Sequence, residues 1–282
     1  MQTLGQVVAL SAEFLRKRGV PSPKLDASLL AAHALGLERI QVYLQTDRPL
    51  SPEELGAVRT LLKRRAQREP VAYITGHKEF RSLDFRVASG LLVPRPDSEI
   101  LVESLLERIP EEREEPLFVA DIGCGTGCLG LTVAKLRPCV RLYAVDVSRV
   151  ALDCTKENAV ALEIKDRVGL LEGDLLGPIP AQRPIDWVIS NPPYVPTAEL
   201  HQLAPEITRH EEPRALDGGT DGLDVVRRLL PAAAQRARTG LLMEHSHDQG
   251  EATRQLALEA GFAQAETIED LAGNERCLLA LV

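Results

Sequence analysis

Apolar positions recur at helical spacing through residues 1–70 and gather into strand-like runs further on. Leu4, Val7, Val8 and Leu15 line one face of a helix expected from Thr3 to Arg18, stopped by Gly19. A second helix, rich in Ala and Leu, runs from Leu25 to Leu35 and is closed by Gly36. Ser51-Pro52-Glu53-Glu54 is a capping box with proline at the first helical position, and the helix it starts reaches about Arg68. Residues 1–70 are therefore read as a small helical bundle that recognises a substrate rather than doing chemistry. The run Lys63, Arg64, Arg65 and Arg68 is either a solvated helix face or a contact with an RNA-rich or acidic partner.

The pattern changes at Pro70. Val71 to Ile74, then Phe80, Leu83, Phe85 and Val87, predict a hairpin over residues 71–95 that links two domains. In Pro94-Arg95-Pro96-Asp97, Asp97 is expected to cap a helix over Ile100 to Ile109. Arg95 is expected either at the surface or against a ligand. From Pro116 onward strands and helices alternate and close in a hairpin around Asp270–Glu275. Residues 96–282 thus read as an α/β domain with a mostly parallel sheet. His245 and His247 have no identifiable carboxylate partner and are read as structural.

Composition narrows the partners. A formal net charge of −8 argues against general binding to a phosphate backbone. With no bilayer-length apolar run and no secretory leader, the expected location is the cytoplasm. An odd count of five cysteines, without Cys-x-x-Cys spacing at Cys124 and Cys128, fits free thiols better than disulfides or zinc.

The chemistry gathers at Ile185 to Tyr194. A short apolar strand ends in Asn191-Pro192-Pro193-Tyr194, where two prolines fix φ and stop the backbone ladder. Either this is a stiff turn, or it is an elbow presenting the Asn191 amide oxygen, the Pro192 carbonyl and the Tyr194 ring. Two acceptors beside an aromatic face suit a planar NH2 group, such as a glutamine amide or a base amine.

Upstream, the strand Leu117 to Ala120 runs into Asp121-Ile122-Gly123-Cys124-Gly125-Thr126-Gly127, and a helix follows. A strand, a glycine turn and a helix open a nucleotide-binding unit. The next strand ends at Asp146, placed to accept from both ribose hydroxyls. Gly125 to Gly130 also matches the dinucleotide pattern Gly-x-Gly-x-x-Gly. S-adenosylmethionine is preferred, because Asp121 can meet the methionine ammonium, directly or through water, and the elbow supplies a methyl-acceptor site. At the end of a third strand Asp174 accepts from the adenine amine or serves as a turn residue, and Leu175 packs on the ring.

Taken together, these residues resemble the bacterial-type peptide chain release factor N(5)-glutamine methyltransferases along nearly the whole chain. The likeness rests on Thr75-Gly76 with Glu79-Phe80, Pro94 to Asp97, Asp121 to Gly127, Asn191 to Tyr194, Glu212-Pro213 with Ala215-Leu216, and Gly273 to Arg276. It implies a class I S-adenosylmethionine-dependent fold, Rossmann-like, behind a helical front domain. It implies methylation of the glutamine in a release factor's Gly-Gly-Gln loop. The family's cofactor loop falls on Gly123, Cys124, Gly125, Thr126 and Gly127, its ribose acid on Asp146, and its adenine side on Leu175, where an aromatic is frequent. The substrate motif falls on Asn191, Pro192, Pro193 and Tyr194, with Asn191 also near the cofactor. The alternatives are an adenine-N6 DNA methyltransferase, which holds a flipped base with the same elbow, and a non-catalytic S-adenosylmethionine-binding adaptor.

Overall fold

The computed structural model describes residues 2–270 and 272–282. The chain divides into two units. One takes the chain up to His77 together with Ala204–His210, and the other takes Lys78–Leu203 with Glu211–Val282.

The first unit is built on local signals. Helix α1 (Leu4–Lys17) starts at Thr3, whose hydroxyl accepts from the Gln6 N–H while the Gln6 side chain accepts from the Thr3 N–H. Helix α2 (Pro23–Leu35) ends at Gly36, and α3 (Arg39–Leu44) follows. Helix α4 (Pro52–Ala66) carries the Ser51–Glu54 box at its start. Leu4, Leu15, Leu30, Val58 and Leu62 close a common core. Where a hairpin was expected from residue 71, the chain makes a further helical turn, α5 (Val71–Thr75). The Pro70 carbonyl accepts from the Tyr73 and Ile74 N–H groups, and Ile74 is buried in the helical core. Gly76, at φ 80°, ends the turn.

Only part of the basic run is a solvated face. Arg64 pairs with Glu69 at 2.5 Å. Arg65 is buried, with Nε 2.7 Å from Asp26 and Nη2 2.8 Å from Glu206. Arg68 grips the same Glu206 at 2.7 and 2.6 Å. Glu206 lies on a one-turn helix, Pro205–Thr208. Lys63 stays exposed.

In the second unit the hairpin is β1 (His77–Phe80) with β2 (Leu83–Arg86). Asp97 does not cap the next helix. Pro96–Ser98 forms a 3₁₀ turn, and α6 (Glu99–Arg108) starts with no side-chain cap, because the Ser98 hydroxyl is turned inward to Glu244. Then follow β3 (Leu117–Ile122), α7 (Cys128–Leu136), β4 (Val140–Asp146), α8 (Arg149–Ala161), β5 (Val168–Glu172) and β6 (Ile185–Ser190). The chain ends with α9 (Asp224–Arg236), β7 (Ala237–Glu244), α10 (Gly250–Ala260), β8 (Gln264–Glu269) and β9 (Glu275–Leu281). Of the expected final turn, Leu271 lies outside the described residues.

The seven-stranded sheet has the order β5-β4-β3-β6-β7-β9-β8. Its first five strands are parallel, and β9 runs antiparallel to both neighbours. Val119, Leu142, Trp187 and Leu242 face a core shared with α6, α7 and α8. Ala120, Val145, Val188 and Leu241 face the other, closed by α9 and α10. Burial on both faces explains why β3 and β6 read as continuous apolar runs rather than alternating ones. Among the described residues no helix is long and apolar enough to cross a membrane.

The Arg65–Glu206–Arg68 cluster yields a stability test. Burial alone raises the Glu206 carboxyl, but hydrogen bonds from Arg68 and Arg65 outweigh it and bring it down to about 2 from 4.5. A carboxylate depressed in the folded state stabilises fully above its ordinary value and less as pH falls toward its folded value. Glu206→Gln, which takes the carboxylate from Arg68 and leaves Arg65 with Asp26, is expected to cost on the order of 3 kcal/mol at neutral pH. Urea denaturation should show that gap constant near neutrality and closing between pH 4.5 and about 2. An unchanged gap across that range would show that the cluster does not set it.

Candidate active site

One transverse row of the sheet delivers the site. Leu171, Val145, Ile122, Ser190 and Met243 are register partners on five adjacent strands. The Ser190 hydroxyl donates to the Ile122 carbonyl at 2.7 Å and pins the central pair. One step further on, the strands release Gly123, Asp146, Asn191 and Glu244 at the carboxyl edge, where α/β sheets bind ligands. A cavity of about 680 Å³ opens there, lined by Gly123, Gly125, Asp146, Asp174, Leu175, Asn191, Pro192 and Pro193 among others.

The glycine loop divides into two parts. Gly123 and Gly125 have φ of 70° and 57° with open space where a side chain would stand, so main chain faces the cavity. The Gly123 and Cys124 N–H groups donate to Val145 at 2.9 and 3.1 Å, and the Gly125 N–H donates to Asp146 at 2.9 Å. Cys124, Thr126 and Gly127 lie behind this surface. The Cys124 sulfur sits 3.5 Å from the Thr155 hydroxyl, and burial pushes the thiol well up. Thr126 is buried, and its carbonyl accepts from Asn158 at 2.8 Å. A Cβ on Gly127 would stand 2.7 Å from Leu131 Cδ1 and 2.8 Å from Thr155 Cγ2.

The acidic candidates differ in setting. Asp146 is half-buried, and each of its oxygens accepts one backbone N–H, from Gly125 and from Ser148 at 2.8 Å. Each carboxylate oxygen keeps further acceptor capacity for a diol. Asp121 is wholly buried beneath the loop; burial lifts its carboxyl to about 7, against the Gly130 N–H that one oxygen accepts. Its other oxygen has no partner among the described residues, and an ammonium suits it. Asp174 is exposed at the cavity rim and paired with Arg228. Leu175, at φ 50°, lies half-buried in the wall.

Of the elbow, Asn191, Pro192 and Pro193 line the cavity and Tyr194 does not. The Tyr194 hydroxyl donates to Glu244 at 2.9 Å, and its carbonyl accepts from Gln249 at 3.0 Å. Burial, together with Glu244, raises the phenol well above its usual range. Arg95 is half-exposed and pairs with buried Glu211 at 2.6 Å, next to Glu212, whose N–H donates to Gly90 at 2.9 Å; it ties down a cavity loop. His245 is buried away from the cavity, where burial lowers the imidazole below its usual range, and His247 is exposed. Sequence reasoning missed Ser98, Glu244 and Gln249, whose partners lie far away in sequence. The one available signal was a carboxylate ending an apolar strand, at Glu244.

Residues 6–76 match the family described as the PrmC N-terminal domain, and residues 96–251 match the methyltransferase small domain. The release factor glutamine methyltransferase of Moorella thermoacetica is 41% identical over 282 residues, covering 99% of this chain and 98% of that one. That of Geobacter sulfurreducens is 40% identical over 276 residues, with 97% and 95% covered. A solved methyltransferase from Pyrococcus furiosus superposes with a TM-score of 0.52 at 18% identity, over 72% of this chain and 90% of its own, a likeness of fold.

The division of the loop is testable without any ligand. Gly127→Ala meets Leu131 and Thr155 at a positive φ, so it should lower unfolding stability by about 2 kcal/mol. Thermal and urea unfolding measure this. A loss no larger than that of Gly125→Ala, which has open space, would contradict a packing role for Gly127.

Proposed function

The chain belongs to the release factor glutamine methyltransferase family, and from that premise we propose how its residues carry the reaction. It has the class I methyltransferase fold with a helical front domain, and it is an S-adenosylmethionine-dependent protein-glutamine N-methyltransferase acting on release factors. The proposal covers the finer reading: the target is the glutamine of the Gly-Gly-Gln loop, and the residues below are the ones that act. The observation that carries it is the cavity in which Asn191 and Pro192 share a wall with Gly123, Gly125 and Asp146.

When bound, S-adenosylmethionine supplies an electrophilic methyl group. The residues that would hold it are Asp146 at the ribose, the main chain of Gly123 and Gly125, Asp121 at the ammonium, and Leu175 with Asp174 on the adenine side. Cys124, Thr126 and Gly127 hold that surface from behind. An amide nitrogen is a weak nucleophile because its lone pair is delocalised into the carbonyl. Asn191 Oδ1 and the Pro192 carbonyl accept its two N–H bonds and fix how the nitrogen faces, which is catalysis by orientation. Acceptor dipoles also favour positive charge developing on nitrogen. The proton leaves after transfer, so no strong base is required. Pro193 stiffens the elbow, and Tyr194 anchors it through its hydroxyl.

Charge supports a protein partner over nucleic acid. The chain carries −8 overall, and Arg64, Arg65 and Arg68 are engaged internally. The helical unit is the part proposed to recognise the release factor. Five free thiols support a reducing compartment, the cytoplasm.

Two experiments test this reading. Asp146→Ala should weaken S-adenosylmethionine binding by about 1.5–3 kcal/mol by calorimetry. Asn191→Ala should instead lower turnover about 100-fold or more with little change in that affinity. Equal effects of the two changes on binding and rate would remove the division of labour. Separately, tandem mass spectrometry of a release factor incubated with enzyme and S-adenosylmethionine should place one added methyl on the loop glutamine. Methylation elsewhere, or of DNA adenine alone, would overturn the substrate assignment.

A further inference from the structure

Beneath the elbow lies a carboxylate that the reading above leaves unused. Glu244 ends β7 and is 2% exposed. It stands one residue past Met243, the register partner of Ser190, as Asn191 stands one residue past Ser190. Glu244 Oε2 accepts from the Ser98 hydroxyl at 2.5 Å, and Oε1 accepts from the Tyr194 hydroxyl at 2.9 Å. The Ser98 oxygen in turn accepts from Asn191 Nδ2 at 3.1 Å. Three elements thus meet on one buried acid: the turn before α6, the end of β6, and β7.

The polarity of this chain of bonds matters. An asparagine amide has nearly the same shape after a half-turn, but it then presents NH2 where it had presented oxygen. Only the oxygen can accept an N–H from a glutamine amide. A serine hydroxyl has one proton to give. Here that proton goes to Glu244, so toward Asn191 the Ser98 oxygen can only accept. A flipped Asn191 would set its oxygen against the Ser98 lone pairs. The NH2 therefore stays on Ser98, and Oδ1 is left for the cavity. The second carboxylate oxygen holds the Tyr194 hydroxyl, so one acid fixes the first and last residues of the motif.

We propose that Glu244 is a positioning residue for methyl transfer: through Ser98 it locks the Asn191 amide with its oxygen toward the substrate, and through the Tyr194 hydroxyl it anchors the far end of the elbow. This rests on the acceptor role given to Asn191. Burial, and to a lesser degree Asp97, raises the Glu244 carboxyl, while the Ser98 and Tyr194 hydroxyls and Arg276 oppose the rise.

Glu244→Gln keeps the shape and replaces one acceptor by a donor. With its NH2 toward Ser98, the serine proton is freed to point at Asn191; with its NH2 toward Tyr194, the phenol loses its acceptor. The expected result is a fall in kcat of about 10- to 100-fold, with KM for release factor and S-adenosylmethionine affinity each within about twofold of wild type. In a Ser98→Ala/Tyr194→Phe background both bonds are already gone, so Glu244→Gln should change kcat by less than about twofold. A normal kcat in folded Glu244→Gln, or an undiminished loss in that background, would overturn the proposal. If Glu244→Gln does not fold, Ser98→Ala alone is decisive: lowered kcat with retained cofactor affinity supports the relay, and normal kcat refutes it. Asn191→Ala run in parallel separates the two ideas. If it retains turnover, the acceptor role of Asn191 fails; if it loses turnover while Glu244→Gln does not, only the positioning role fails.

Discussion

The hydrogen bond from Ser190 to the Ile122 carbonyl, at the centre of a parallel sheet, is what the rest of the site depends on. It fixes the register of β6 on β3, and with it where each strand runs out. A slip of one residue would turn every side chain of β6 to the other face and move Asn191 off the edge that Gly123 and Asp146 share. The sheet can enforce that register because both faces are buried: Val188 and Ile189 point into opposite cores, and neither tolerates exchange with solvent. Three helices on one face and two on the other thus act, at the edge, as a jig for a few polar atoms.

Around that edge the protein separates support from contact. Gly123 and Gly125 offer bare main chain to the cavity, whereas Gly127, Cys124 and Thr126 pack against α8 and keep the loop in place. Asn191 and Pro192 face the cavity, whereas Tyr194 points its hydroxyl to Glu244. Arg95 ties the wall at Glu211. The orientation catalysis proposed above depends on such support, because a weak nucleophile gains from how closely its geometry is held. In the helical unit the same economy of charge appears in Arg65 and Arg68, which are joined to Glu206 inside the unit.

How much of this was legible in the sequence follows the range of the interaction. Caps and stops, such as Ser51 and Gly36, act within four residues and were read correctly. So were the strands around Val119, Leu142 and Trp187, although the first was read as stopping short of Ile122, because parallel strands buried on both faces write long apolar runs. Contacts between distant residues left no local trace. Ser98 meets Glu244 across 146 positions, so Asp97 looked like a cap and Glu244 like an ordinary strand end. Arg65 meets Glu206 across 141 positions, so a buried ion-pair cluster looked like a solvated face. The glycines could be counted from sequence, but which of them need space for a ligand and which for Leu131 depends on packing alone.

The central claim is that the Asn191 oxygen and the Pro192 carbonyl hold the substrate amide. A crystal structure with S-adenosylhomocysteine and a Gly-Gly-Gln peptide tests it most directly. The account requires the glutamine Nε2 within hydrogen-bond distance of both Asn191 Oδ1 and the Pro192 carbonyl oxygen, with Asn191 Nδ2 still on Ser98. A glutamine amide bound elsewhere in the cavity, or an Asn191 that presents Nδ2 to it, would contradict the account.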